Sequence, residues 1–108
     1  MKIELETLLS FEHEKFPKIL DIDIDENSSS IGELISKIHE LLHIPTNFEL
    51  KWEHLTEKIS CTYYFIEKKE FNEYTMITDL EEKISGFPKH GQDGALHLFI
   101  DGNTKLVN

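Results

Sequence analysis

Arginine is absent from this sequence of 108 residues, and all 11 of its basic residues are lysine. They are outnumbered by 21 Asp and Glu residues, so the formal net charge is −10. Nucleic-acid binding relies on clustered Lys and Arg that displace phosphate counterions. The only adjacent basic pair, Lys68 and Lys69, lies between Glu67 and Glu70. We therefore expect no nucleic-acid partner, and no direct membrane binding, because anionic lipids would repel an acidic surface.

Cysteine and long apolar runs are also scarce. The single cysteine, Cys61, cannot form an internal disulfide, which suits a reducing compartment. No apolar stretch approaches the roughly 20 residues that span a bilayer. Residues 1–6 alternate charged and apolar side chains, unlike a secretory signal. The sequence therefore predicts a cytoplasmic protein.

The length and the apolar content of the chain favour one domain. Apolar residues make up 39% of the sequence, which is typical of a globular protein with a single core at this length. We expect this domain to cover residues 1–108. Because Met1 begins the chain and nothing marks its end as natural, we expect the N-terminal module of a longer protein.

Alternation of apolar and polar side chains predicts five strands, over residues 2–9, 20–25, 48–53, 61–66 and 95–100. In the first strand, Lys2, Glu4 and Glu6 lie on the polar side. The segment between the third and fourth strands, residues 54–60, and the segment before the last strand, residues 89–94, are predicted to be loops.

Two helices are predicted from capping signals. Ser30 and Glu33 have the spacing of a capping box, so a helix begins near Ile31, and Pro45 ends it. Its apolar positions recur at steps of three and four residues, at Ile31, Leu34, Ile35, Ile38, Leu41 and Leu42. A second capping box, from Thr78 to Glu81, predicts a short helix through residue 84.

This order of two strands, a long helix, two strands, a short helix and a last strand resembles the ubiquitin-like β-grasp superfamily, in which a mixed sheet curls around one helix. The resemblance covers nearly the whole chain. It implies an α+β fold, a β-grasp roll in which a four- to five-stranded mixed sheet packs on one main helix, with a short second helix. The first strand is expected to be central and next to the last strand.

Two families of that superfamily share particular segments with this chain. Segments 48–52, 75–82 and 96–100 look like the second half of a Phox-and-Bem-one domain, and this resemblance implies a partner-binding lysine at Lys2. Segment 64–71 is similar to the GTPase-binding domains of formins and of engulfment-type exchange-factor scaffolds. That resemblance implies a small GTPase docked edge to edge on the second strand.

Acidic residues dominate the predicted second strand. Asp21, Asp23 and Asp25 occupy alternate positions, so they project from one side at intervals of about 6.6 to 7 Å, and Glu26 follows them. Two interpretations are open. The strip blocks aggregation between strand edges, or it is a docking surface for a basic partner. An acidic GTPase face would meet like charge here.

Aromatic residues supply further candidates for partner binding. Phe71, Tyr74 and Phe87 lie in segments predicted as loop, so one or more of them is expected to be an exposed anchor. Trp52 has the parity of the apolar residues of its strand and is expected in the core.

Histidine and cysteine give little support for chemistry. His39 and His43 lie one helical turn apart on the face away from the apolar stripe, a spacing that can chelate a metal. The motif has no third ligand, so we expect two surface histidines. Cys61 has no neighbouring base in the sequence, which favours a packing role. We expect no catalytic site, metal or cofactor.

These observations predict a non-catalytic protein–protein interaction module of a cytosolic signalling or scaffold protein, bound by a partner with a basic surface. The alternatives are a small-GTPase-binding domain of a formin or engulfment-type regulator and, from another class, a small metal-binding protein that uses His39 and His43. The candidate partner-binding residues are Asp21, Asp23, Asp25, Glu26, Lys2, Phe71 and Tyr74.

Overall fold

The computed structural model describes residues 1–8, 19–52, 55–68 and 73–102, and for residues 47–52, 55–59 and 68 it describes the backbone alone. Two short 3-10 turns, Ile84–Gly86 and Gln92–Gly94, precede the last strand. The regular elements, in chain order, are β1 (Lys2–Leu8), β2 (Ile19–Asp21), α1 (Ile31–Leu42), β3 (Asn47–Trp52), β4 (Leu55–Ser60), β5 (Thr62–Lys68), β6 (Glu73–Met76) and β7 (Leu96–Asp101).

Five of these strands form one mixed sheet in the order β2-β1-β7-β5-β6. β1 runs parallel to β7, and the other neighbouring pairs are antiparallel. The prediction that the first strand lies next to the last is confirmed. The central position belongs to β7, however, and β1 is the strand beside it.

One face of this sheet packs on α1 and forms the hydrophobic core. The fold is therefore α+β, with a five-stranded mixed sheet and one main helix. The opposite face, which we call the outer face, carries the alternate residues of each strand. Residues from the sheet and the helix that share the core include Ile3, Leu5, Leu96, Leu98, Ile100, Ile31, Leu34, Ile35 and Ile38.

The helix begins and ends where the sequence predicts. The side chain of Ser30 accepts a hydrogen bond from the Glu33 amide at 3.1 Å, and His43 caps the other end in the left-handed conformation. The predicted apolar stripe is wrong at one position, because Leu41 is 56% exposed. His39 is buried in its place.

The predicted short helix from Thr78 is absent from the described chain, and only the 3-10 turn Ile84–Gly86 is helical there. The backbone of this segment pairs with the start of α1 instead. The carbonyl of Leu80 accepts from the Gly32 amide, and the Ile84 amide donates to Ser29. A Cβ on Gly32 would lie 2.8 Å from the Leu80 oxygen, so this close approach requires glycine.

The segment between the third and fourth predicted strands is also different. β4 occupies most of the predicted loop 54–60 and pairs antiparallel with β3, from Asn47 opposite Ser60 to Trp52 opposite Leu55. These two strands form a separate two-stranded sheet. The side chain of Trp52, which is predicted to lie in the core, is outside the part of the chain that the structure describes.

β2 is shorter than predicted. Its ladder with β1 ends at Asp21, which is opposite Lys2, the first residue of β1. The alternation of burial nevertheless continues, since Ile22 is buried and Asp23 and Asp25 are exposed. The prediction that all three aspartates belong to one strand is therefore wrong for the last two.

Candidate functional site

The acidic segment that follows β2 borders an open groove against α1. β2 forms one edge of the main sheet, and the groove has a volume of about 650 Å³. It combines three carboxylates with an exposed leucine. The described residues that line it are Asp21, Ile22, Asp23, Lys37, Glu40, Leu41 and His43.

The carboxylates of the predicted acidic strip have different environments. Asp21 Oδ1 lies 3.1 Å from the Met1 amine. The Asn27 amide donates to Asp25 Oδ1 at 2.9 Å, and this hydrogen bond lowers the pKa of Asp25. Glu26 forms an ion pair with Lys89. Within the described residues, Asp23 has no hydrogen bond or ion pair to its carboxylate.

The structure does not bring all the predicted partner-binding residues together. Lys2 is exposed beside the acidic edge, directly across the ladder from Asp21. Tyr74 lies on β6, at the opposite edge of the sheet, so its assignment to a loop is wrong. Phe87 is buried against Phe65, with ring centroids 5.0 Å apart, and is not an exposed anchor. Phe71 lies outside the described residues.

His39 is not the surface residue that the helical pattern predicts. It is 6% exposed, and its two ring nitrogens contact the Ile44 carbonyl at 2.8 Å and the Tyr63 hydroxyl at 2.6 Å. A carbonyl only accepts, so Nδ1 carries hydrogen and Nε2 is left to face the hydroxyl. Because both nitrogens are engaged in the fold, His39 does not present a metal ligand together with His43.

A second group of polar residues meets on the outer face of the sheet. Glu4 and Glu6 of β1 lie on either side of the His97 ring of β7. Glu4 Oε2 is 3.4 Å from His97 Nδ1, and Glu6 Oε1 is 3.0 Å from His97 Nε2. Tyr74 reaches across β5 and β7 and donates its hydroxyl hydrogen to Glu6 Oε2 at 2.5 Å. We call these four residues the outer-face cluster.

Two members of the outer-face cluster, Glu4 and His97, are buried, which is unusual for the polar face of a strand. Glu4 and His97 are each 8% exposed, and the backbone amide of Gln92 donates to Glu4 Oε1 at 2.7 Å. The sequence pattern predicts Glu4 and Glu6 on the polar side of β1 but gives them no role in a site. The signal that it missed was the parity of His97, since the polar sides of two adjacent strands face the same way.

Two tyrosines are expected to ionise at unusually high pH in the folded protein. Burial raises the pKa of Tyr63 to about 12. The pKa of Tyr74 is also about 12, because of burial first and then its hydrogen bond to Glu6. An ordinary tyrosine has a pKa of about 10. Folding stability should therefore be unaffected by these groups below pH 10 and should fall as the pH rises from about 10 to about 12.

Ultraviolet absorbance recorded during a pH titration would measure this ionisation directly. We expect Tyr63→Phe and Tyr74→Phe each to remove part of the absorbance step near pH 12. An unchanged step in both variants would contradict the assignment of the raised pKa values to these two residues.

Comparisons of the chain with protein-family models, with curated proteins and with solved structures find no match. Among the helices of the described residues, none is long and apolar enough to cross a membrane. The groove beside β2 and the outer-face cluster are two places where the described residues bring polar side chains together.

Proposed function

We propose that this chain is a non-catalytic β-grasp interaction domain of a cytoplasmic protein, and that it binds a basic segment of a partner protein in the groove between β2 and α1. The observation that supports this function is the meeting of Asp21, Asp23 and Glu40 around an exposed Leu41, next to a sheet edge. Such a groove offers both a charged rim and an apolar contact to one partner.

Charge complementarity defines the chemistry of the partner. Among the described residues that line the groove, three are carboxylates and one, Lys37, is a lysine. The Lys37 ammonium is directed to the Asp23 carbonyl at 3.1 Å. A lysine- or arginine-bearing segment would be attracted to this surface, and long-range attraction of this kind mainly increases the association rate.

The sheet edge provides a second element of recognition. β2 has one neighbouring strand, β1, in the described sheet, so its other side can accept a partner strand through backbone hydrogen bonds. β2 contains only three residues, so few such bonds can form. We therefore assign affinity mainly to charge and to contact with Leu41, and only a minor share to strand pairing.

Support for the β-grasp assignment comes from the order of the elements. β7 lies at the centre of a mixed sheet with β1 parallel beside it, β2 pairs antiparallel with the other side of β1, and α1 covers one face. The separate β3–β4 pair is an addition to the simple roll that the sequence resembles. A small GTPase would be a partner here only if it presented a basic surface to the groove.

The proposal can be tested by removing charge from the groove without changing side-chain size. The triple variant Asp21→Asn, Asp23→Asn, Glu40→Gln should bind an alternating Lys-Val peptide at least about tenfold more weakly at low salt, because electrostatic attraction is lost. Backbone NMR shifts of the unmodified chain should change mainly at residues 19–23 and 37–43 when the peptide is added.

A matched control removes the same number of charges elsewhere. Glu73→Gln, Glu81→Gln and Glu82→Gln change exposed carboxylates away from the groove and should leave peptide binding nearly unchanged. Equal losses in both triple variants would mean that net charge alone attracts the peptide. That result, or peptide-induced shifts without a maximum at the groove, would contradict the proposed site.

A further inference from the structure

We propose that Glu4, Glu6 and His97 form a binding site for one divalent metal ion, with Zn²⁺ the best match for a set of carboxylate and imidazole ligands. One ligand atom from each residue lies within 4.8 Å of the other two. The site lies on the outer face of the sheet and is independent of the groove that carries the proposed function.

The hydrogen bonds around the two carboxylates leave one oxygen of each directed at His97. Glu4 Oε1 is held by the Gln92 amide, and Glu6 Oε2 is held by the Tyr74 hydroxyl. The remaining oxygens, Glu4 Oε2 and Glu6 Oε1, lie against the imidazole ring. Metal-binding carboxylates commonly have outer partners of this kind, which fix their orientation.

The charge of the site gives an independent reason to expect a cation. Glu4 is 8% exposed, and neither Glu4 nor Glu6 forms an ion pair with a lysine of the described chain. Among the described residues, the His97 imidazole is thus the only side chain able to carry a positive charge that pairs with these two carboxylates. Buried charges in proteins are normally paired or bound to metals, and one divalent ion would balance both carboxylates.

A zinc ion would draw the three ligand atoms, which lie within 4.8 Å of one another, closer together. Bonds of about 2.0–2.2 Å in a tetrahedral site place neighbouring ligand atoms about 3.3 Å apart. Glu6 Oε1 is 3.0 Å from His97 Nε2, and Glu4 Oε2 is 3.4 Å from the other ring nitrogen, Nδ1. A metal would use one ring nitrogen, so one carboxylate would rotate toward it. Three protein ligands leave a fourth position for water or for a group from a partner.

Calorimetric titration of the metal-free chain with zinc chloride tests the proposal. We expect one ion per chain, together with a rise in melting temperature, since a ligand that binds only the folded state stabilises it. His97→Gln and Glu6→Gln should each weaken zinc binding by at least about tenfold. Glu6 is the more informative position, because its side chain is 37% exposed and its replacement is less disruptive to folding.

His43→Gln is the matched control, because His43 lies at the end of α1 and not on the outer face. This variant should keep the zinc affinity and the stoichiometry of the unmodified chain. Circular dichroism of each metal-free variant checks that it is folded. Zinc binding that survives Glu6→Gln and His97→Gln would mean that other residues hold the ion and would overturn the site. Absence of binding to the folded chain in excess zinc would overturn it as well.

Discussion

Replacing Ile38 with alanine is expected to lower the free energy of unfolding by about 2–5 kcal/mol. Ile38 is 0% exposed and lies in the middle of the helix face that covers the sheet. The substitution removes apolar contacts and leaves a cavity that the surrounding core can fill only in part. Urea denaturation followed by circular dichroism would measure the change.

Leu41 provides a control from the same helix. Leu41→Ala shortens an apolar side chain of the same size as that of Ile38, but Leu41 is largely exposed. We expect a change of no more than about 0.5 kcal/mol, as for other surface positions. If Ile38→Ala were as mild as Leu41→Ala, the packing of α1 on the sheet would be wrong.

Replacing His39 with alanine is expected to destabilise the protein by about 2–3 kcal/mol, because it leaves two hydrogen-bonding groups without their partner. The Ile44 carbonyl loses the donor Nδ1, and the Tyr63 hydroxyl loses contact with Nε2. The Tyr63 contact joins the end of α1 to β5, and the Ile44 bond joins α1 to the segment that follows it. Chemical denaturation at neutral pH would measure the loss of stability.

Tyr63→Phe separates the hydroxyl contact from the rest of the effect. It should cost about 1 kcal/mol, less than His39→Ala, because the Ile44 bond is kept. The double variant should lose less free energy of unfolding than the sum of the two single losses, since both single changes break the same contact. Full additivity would show that His39 and Tyr63 do not interact energetically.

Local sequence signals predict well an element whose backbone hydrogen bonds form within the element itself, as in α1. The helix from Ile31 was predictable because its cap, its apolar spacing and Pro45 agree. The pairing of the first and last strands was also expected, from the resemblance of the element order. The outer-face cluster is predictable from this strand pairing once the polar side of β7 is compared with that of β1.

Signals that depend on distant partners were misread. The capping box at Thr78 does not begin a helix, because the carbonyls of Leu80 and Glu82 accept hydrogen bonds from the start of α1. β4 has a mixed sequence, and its strand conformation comes from pairing with β3. His39 looks polar in the helical pattern, and only Tyr63 and Ile44, from outside the helix, explain its burial.

The parallel pairing of β1 and β7 has a mechanical consequence. The two strands are in register from Ile3 opposite Leu96 to Leu8 opposite Asp101. Tension applied between the beginning of β1 and the end of β7 would pull the strands past each other along their length. The evenly spaced hydrogen bonds of a parallel pair would then share the load together, rather than opening one after another. The β1–β7 pair should therefore resist a stretching force applied between these two points.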